Sequence, residues 1–136
     1  MIKLEKEEEL ALKQALDDEY KSWTTYDQVI KDFGEVRPFI NIRDAEARHI
    51  EALLGLFRKY GITPPANQWI GNTPKFTSVK AACAASVTGE IENVALYDRL
   101  LKSTIKQDIL NVYNALRTAS QERHLPAFQR CTNRNN

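Results

Sequence analysis

The sequence has no apolar run long enough to cross a bilayer, so no transmembrane helix is expected. Nor does either sign of charge dominate: 19 basic and 18 acidic side chains leave a formal charge of +1. Without a basic field, sequence-independent nucleic-acid binding has no electrostatic drive. A phosphate-binding glycine loop and a nucleophile elbow are missing too. Five glycines and five prolines are too few for a β-sandwich, which turns roughly every ten residues. Two cysteines, Cys83 and Cys131, are too few for a disulfide scaffold and lack zinc-like spacing. The opening stretch MIKLEKEEEL lacks the apolar stretch of a secretory leader, so either the protein is cytosolic or a leader has been removed. What is present is a folded-protein composition, 43% hydrophobic and 27% charged, in 136 residues that suit one domain, 1–136.

Apolar residues recur at the helical period over most of the chain. Four helices are expected, at about 4–33, 38–60, 77–102 and 105–129. The first carries Leu12, Leu16, Trp23, Tyr26, Ile30 and Phe33 and stops at Gly34. The second opens at Pro38 and carries Ile42, Leu53, Leu56, Phe57 and Tyr60 up to Gly61. The third carries Val79, Cys83, Val87, Val94, Tyr97 and Leu101. The fourth carries Ile109, Tyr113, Leu116 and Phe128, with Thr104 and Gln107 at capping-box spacing. Short links make an antiparallel hairpin of each consecutive pair. Between the pairs, GITPPANQWIGNTPKF forms a long connection at about 61–76. Two hairpins and one crossover make an all-α four-helix bundle of the ferritin-like variety. A plain up-down bundle with an irregular middle loop is the simpler alternative. Trp69 reads as a plug over the bundle, the acids of KLEKEEEL as a solvated first turn, and Asp17 and Asp18 as water-facing.

The apolar stripes are interrupted by residues that do not belong in a core: Glu19, Glu46 with His49, Glu90, and His124. A lone buried carboxylate is costly and usually finds a local partner. Several at matching heights need a common explanation, and an internal repeat makes them match. EYKSWTTY (Glu19–Tyr26) and EIENVALY (Glu90–Tyr97) share Glu and Tyr two turns apart; AEARHI (Ala45–Ile50) parallels SQERHL (Ser120–Leu125). One Glu from each of two helices, with E-x-x-H from each of the others, is the pattern of a metal site inside a bundle. Carboxylate and imidazole suit iron or manganese, in one or two positions, and zinc also accepts them. Tyr26 and Tyr97 are placed to donate hydrogen bonds to the ligands, or equally to serve as ordinary core aromatics.

The second half departs from the pattern, because Gln121 stands where Glu46 aligns. A neutral amide is a poor bridging ligand, so the first half, with His49, is expected to hold metal more firmly than the half with His124. Glu122 is adjacent, and a kink at Pro126 would bring it inward. Arg117, one turn before Gln121, would neutralise inward carboxylates without any metal. The cysteines stand in register with the site. Cys83 is seven residues before Glu90 and Cys131 seven after His124, which is equal height on antiparallel helices, so a Cys83–Cys131 disulfide is expected. That bond would favour an extracytoplasmic location; two free thiols would favour the cytoplasm.

The run DEYKSWTTYDQVIKDFGEVRPFINIRDAEARHIEALLGLFRKYG, then PPANQW, EIENVALYDRLL and ASQERHLPAFQRC, resembles the ferritin-like domain-of-unknown-function 2202 family of bacteria and archaea. The resemblance implies a ferritin-like bundle distantly similar to rubrerythrins and other di-iron carboxylate proteins. It also implies the ligand set Glu19, Glu46, His49, Glu90 and His124, with Gln121 where Glu is expected. Rubrerythrins carry a C-terminal rubredoxin-like cysteine module that this chain lacks, so an external electron donor is implied. Two function classes follow. One is a non-haem iron or manganese oxidoreductase, or ferroxidase-like protein, acting on oxygen or peroxide. The other is a metal-free bundle that serves as a binding or structural module, its inward polar groups paired with one another. The sequence leaves the oligomeric state open, a homo-oligomer included.

Overall fold

The computed structural model describes residues 2–134. It comprises α1 (Lys6–Phe33), α2 (Phe39–Tyr60), α3 (Val79–Leu100), α4 (Gln107–Ala119), a π-helical turn (Ser120–His124) and α5 (Leu125–Thr132). The last three run on as the fourth helix of a four-helix bundle, and no strand occurs among the described residues. Local chemistry sets the ends. Gly34 and Gly61 stop α1 and α2 at φ of 90° and 67°, where a side chain would be strained. The Ser78 hydroxyl accepts the backbone N–H of Ala81 and starts α3.

The N-terminus of α4 differs from expectation. The residue before it is Lys106, not Thr104. Thr104 is buried, accepting the Lys106 backbone N–H and donating its own hydroxyl to Glu8. A tertiary contact has taken the capping residue, so the helix begins two residues later than the spacing predicts. Glu8 is accordingly not part of a solvated turn: only 4% exposed, it meets the Lys106 ammonium at 2.7 Å and also accepts the N–H of Glu5.

Apolar packing occurs in two clusters. One gathers Leu12, Leu16, Leu53, Phe57, Tyr97, Leu100, Ile109 and Tyr113; the other gathers Tyr26, Val29, Phe39, Ile42, Ala82 and Phe128. In the second, Cys83 and Cys131 are disulfide-bonded with Cα atoms 6.0 Å apart, tying α3 to α5. The crossover lies along α1. Asn67 bonds Thr24, the Trp69 indole N–H donates to Asp17, and the Lys21 ammonium lies over the Trp69 ring. Trp69 thus fastens the crossover to the flank of α1 and is not a plug. Asp17 anchors it, and Asp18 accepts from Asn93.

Candidate metal centre

Between the two apolar clusters in sequence lie the polar members of each stripe. Glu19 on α1, Glu46 on α2 and Glu90 on α3 are each 1% exposed, and His124 is 3% exposed. The His49 side chain is 13% exposed. Donor atoms of Glu19, Glu46 and His49 lie within 4.8 Å of one another, and so do those of Glu46, Glu90 and His124. Glu46 belongs to both groups. The His49 Nδ1 atom is 3.3 Å from Glu19 and 3.6 Å from Glu46; the His124 Nδ1 atom is 3.1 Å from Glu46 and 3.3 Å from Glu90. The two imidazoles stack with centroids 5.5 Å apart.

These close approaches are not hydrogen bonds. Glu46 Oε2, Glu90 Oε1 and both Nδ1 atoms are buried with no hydrogen-bond partner among the described residues. Buried polar atoms are normally satisfied, and leaving one unpaired costs about 1–3 kcal/mol. In each group the donor atoms lie close enough together for one cation to reach all three residues. A cation there would pair with all of them, so the donor set fits a metal by both geometry and chemistry.

Tyrosine hydroxyls hold two of the carboxylates in place. The Tyr26 hydroxyl donates to Glu90, and the Tyr97 hydroxyl donates to Glu19 at 3.0 Å. The pairing is crosswise: each tyrosine serves the glutamate of the opposite repeat, because α1 and α3 run antiparallel with the same Glu-to-Tyr spacing.

The comparisons with known proteins agree with this architecture. A family model described as an uncharacterized protein domain, DUF2202, matches residues 1–136. The chain belongs to that family. A similar solved structure is that of a hypothetical protein from Methanococcus jannaschii DSM 2661. It is 25% identical, with a TM-score of 0.86, over 98% of this chain and 83% of that one. No curated protein matches.

In this DUF2202 chain the π turn decides what the second half of the repeat contributes. Leu116, Ser120, His124 and Phe128 are all buried. Three successive steps of four residues each overshoot an α-helical turn by about 40°, so a straight helix would rotate them apart. The π turn absorbs the extra residue, and Leu125 N–H bonds the Ser120 carbonyl five residues back. It also leaves Gln121 and Glu122 exposed. The expected inward swing of Glu122 is therefore not observed. Gln121 lies outside the cluster, accepting a hydrogen bond from Arg117. Arg117 in turn pairs with Asp98 at 2.5 Å and neutralises nothing inside the bundle. Ser120 takes the inward place and donates to Asn93, itself bonded to Asp18. Sequence reasoning missed this Asp18–Asn93–Ser120 chain; the four-residue steps of the stripe were the available signal. With Gln121 outside, each histidine has two carboxylate neighbours, which removes the ground for ranking the halves by their glutamates.

Charge is shared unevenly. Burial, then the neighbouring Glu46, push Glu19 up to about 8, while the two imidazoles hold Glu46 below its usual 4.5 despite burial. Burial opposes charge on the histidines, but the carboxylates beside them prevail, raising His49 to about 10 and His124 to about 9. Burial, followed by the nearby carboxylates, keeps Tyr26 and Tyr97 protonated well past 10. Both therefore remain donors.

Proposed function

We propose that the cluster is a carboxylate–histidine metal centre for iron or manganese, and that the protein is a non-haem metal oxidoreductase of ferroxidase-like character acting on oxygen or peroxide. The observation that carries this reading is the set of four buried, convergent, partnerless atoms on Glu46, His49, Glu90 and His124. Glu19, Glu46 and His49 would hold one ion, and Glu46, Glu90 and His124 a second, with Glu46 shared. When bound, such ions supply one-electron chemistry toward oxygen or peroxide.

The chain's own residues do the rest. Tyr26 fixes one oxygen of Glu90 and leaves the other free to ligate, while Tyr97 orients Glu19 through the oxygen that faces His49. The surrounding apolar packing limits water around the cluster. Glu19 and the imidazoles release protons as a cation enters, because the metal and the proton compete for the same atoms. Electrons for turnover come from a separate donor.

One observation favours the metal-free alternative: two charged imidazoles stand beside the carboxylates and offset their buried charge. That arrangement leaves the four atoms unbonded, and Arg117 faces outward, so the metal reading accounts for more of the structure. The test is to load ferrous iron without oxygen, admit oxygen or peroxide, and compare the oxidation rate with free iron and with Glu46→Ala. Tight binding and accelerated oxidation, both lost in Glu46→Ala, are expected. Oxidation no faster than free iron overturns the proposal.

A further inference from the structure

Beside the cluster, α2 and α4 separate and leave a cavity of about 510 Å³. Ala52 on α2 and Ala115, Leu116 and Ala119 on α4 give it an apolar wall of small side chains, with Asn114 and Thr118 adding two polar ones. His49 also lines it, so the cavity reaches the more exposed imidazole of the centre; the His124 side chain is 4% exposed against 13% for His49. Arg48 on α2 and Arg123 in the π turn line the cavity from facing helices. Arg43, Arg58 and Arg117 are committed to ion pairs, whereas Arg48 and Arg123 form none among the described residues.

Two uncommitted guanidinium groups over an apolar wall have a definite chemical preference. Their planar forks match the two oxygens of a carboxylate, and the wall suits a hydrocarbon body. The volume lies within the roughly 300–1,000 Å³ of small-molecule sites. A bare inorganic anion would meet the arginines and leave the wall unused. We propose that this cavity binds a small carboxylic acid with an apolar body, its carboxylate on Arg48 and Arg123 and its body against Ala52, Leu116 and Ala119. Its position beside His49 makes it a substrate or co-ligand site of the centre, a consequence that rests on the metal reading above.

Benzoate titrated into metal-free protein, followed by heteronuclear NMR and calorimetry, tests the site apart from any metal. Saturable binding is expected, with the signals of His49 and Ala119 moving and that of Cys83 unchanged. Both arginines are exposed, so the Arg48→Ala/Arg123→Ala double variant should fold and bind at least roughly tenfold more weakly. Inorganic phosphate in a parallel titration should bind more weakly than benzoate. Non-saturable benzoate binding, a double variant that binds as well as the parent, or phosphate binding as tightly as benzoate overturns the proposal. Because the readout needs no metal, failure of iron to bind removes the function proposed above and leaves this result standing.

Discussion

Two buried glutamates in this protein look alike by accessibility and differ in how their lone pairs are satisfied. Glu8 at the start of α1 is 4% exposed and Glu46 in mid-bundle 1%. Glu8 accepts from the Lys106 ammonium, the Thr104 hydroxyl and the Glu5 backbone. Glu46 has one oxygen with no partner and two imidazoles beside it that do not bond it properly. A buried carboxylate with its bonds made is a structural fastener. A buried carboxylate with an unmet lone pair, grouped with imidazoles and other carboxylates, has the chemistry to ligate a cation. Burial alone does not separate the two; satisfaction of the lone pairs does.

The largest expected effect comes from a control that touches neither glutamate. Replacing both Cys83 and Cys131 with serine removes a bond spanning 48 residues of sequence and should cost about 4 kcal/mol on the chain-entropy model. Denaturant unfolding should show that loss while metal affinity stays within severalfold, since the pair is two turns from Glu90 and His124. Next is Glu46→Gln, which removes the shared ligand and should weaken metal binding by more than roughly a hundredfold in a competitive chelator titration. Third is Glu8→Gln, expected to destabilise by about 1–3 kcal/mol with metal affinity unchanged. Burial opposes the Glu8 charge, but Lys106 and then Thr104 hold its pKa below 4.5. A depressed folded-state value gives stability that is present above the unfolded pKa and lost as pH falls through the folded one. The cost of Glu8→Gln should therefore be full at neutral pH and shrink below about 4.5, as a pH series of denaturation midpoints would show. The smallest effect is expected for Glu19→Gln in metal-free protein. With its pKa near 8, Glu19 is largely neutral at pH 7, and an amide imitates it and still accepts from Tyr97. A change below about 1 kcal/mol is expected there, alongside clear loss of metal affinity. If Glu19→Gln and Glu8→Gln proved equally destabilising, the distinction between fastener and ligand would fail.

Much of this was legible from the residues. Helical periodicity, two short links and one long connection were enough for the bundle, and equal offsets from Glu90 and His124 were enough to pair Cys83 with Cys131. The convergence of Glu19, Glu46, His49, Glu90 and His124 followed from the internal repeat. Other features were hidden for identifiable reasons. Aligning Gln121 with Glu46 assumed that both helices were straight α, whereas the π turn rotates Gln121 and Glu122 outward and brings Ser120 in. Its trace was in the stripe itself, in the four-residue steps from Leu116 to Phe128. The crosswise tyrosines were recoverable once α1 and α3 were taken as antiparallel. Glu8 was not recoverable, because its partners Thr104 and Lys106 lie almost a whole chain away and charge-rich first turns are usually solvated.

The partnerless atoms around Glu46 are proposed as metal ligands. Elemental analysis of protein purified without added metal, beside Glu46→Ala prepared identically, tests this assignment most directly. Iron or manganese is expected in the parent protein and little or none in the variant. Parent protein that carries no transition metal and takes up none tightly when ferrous or manganous ions are supplied would contradict it.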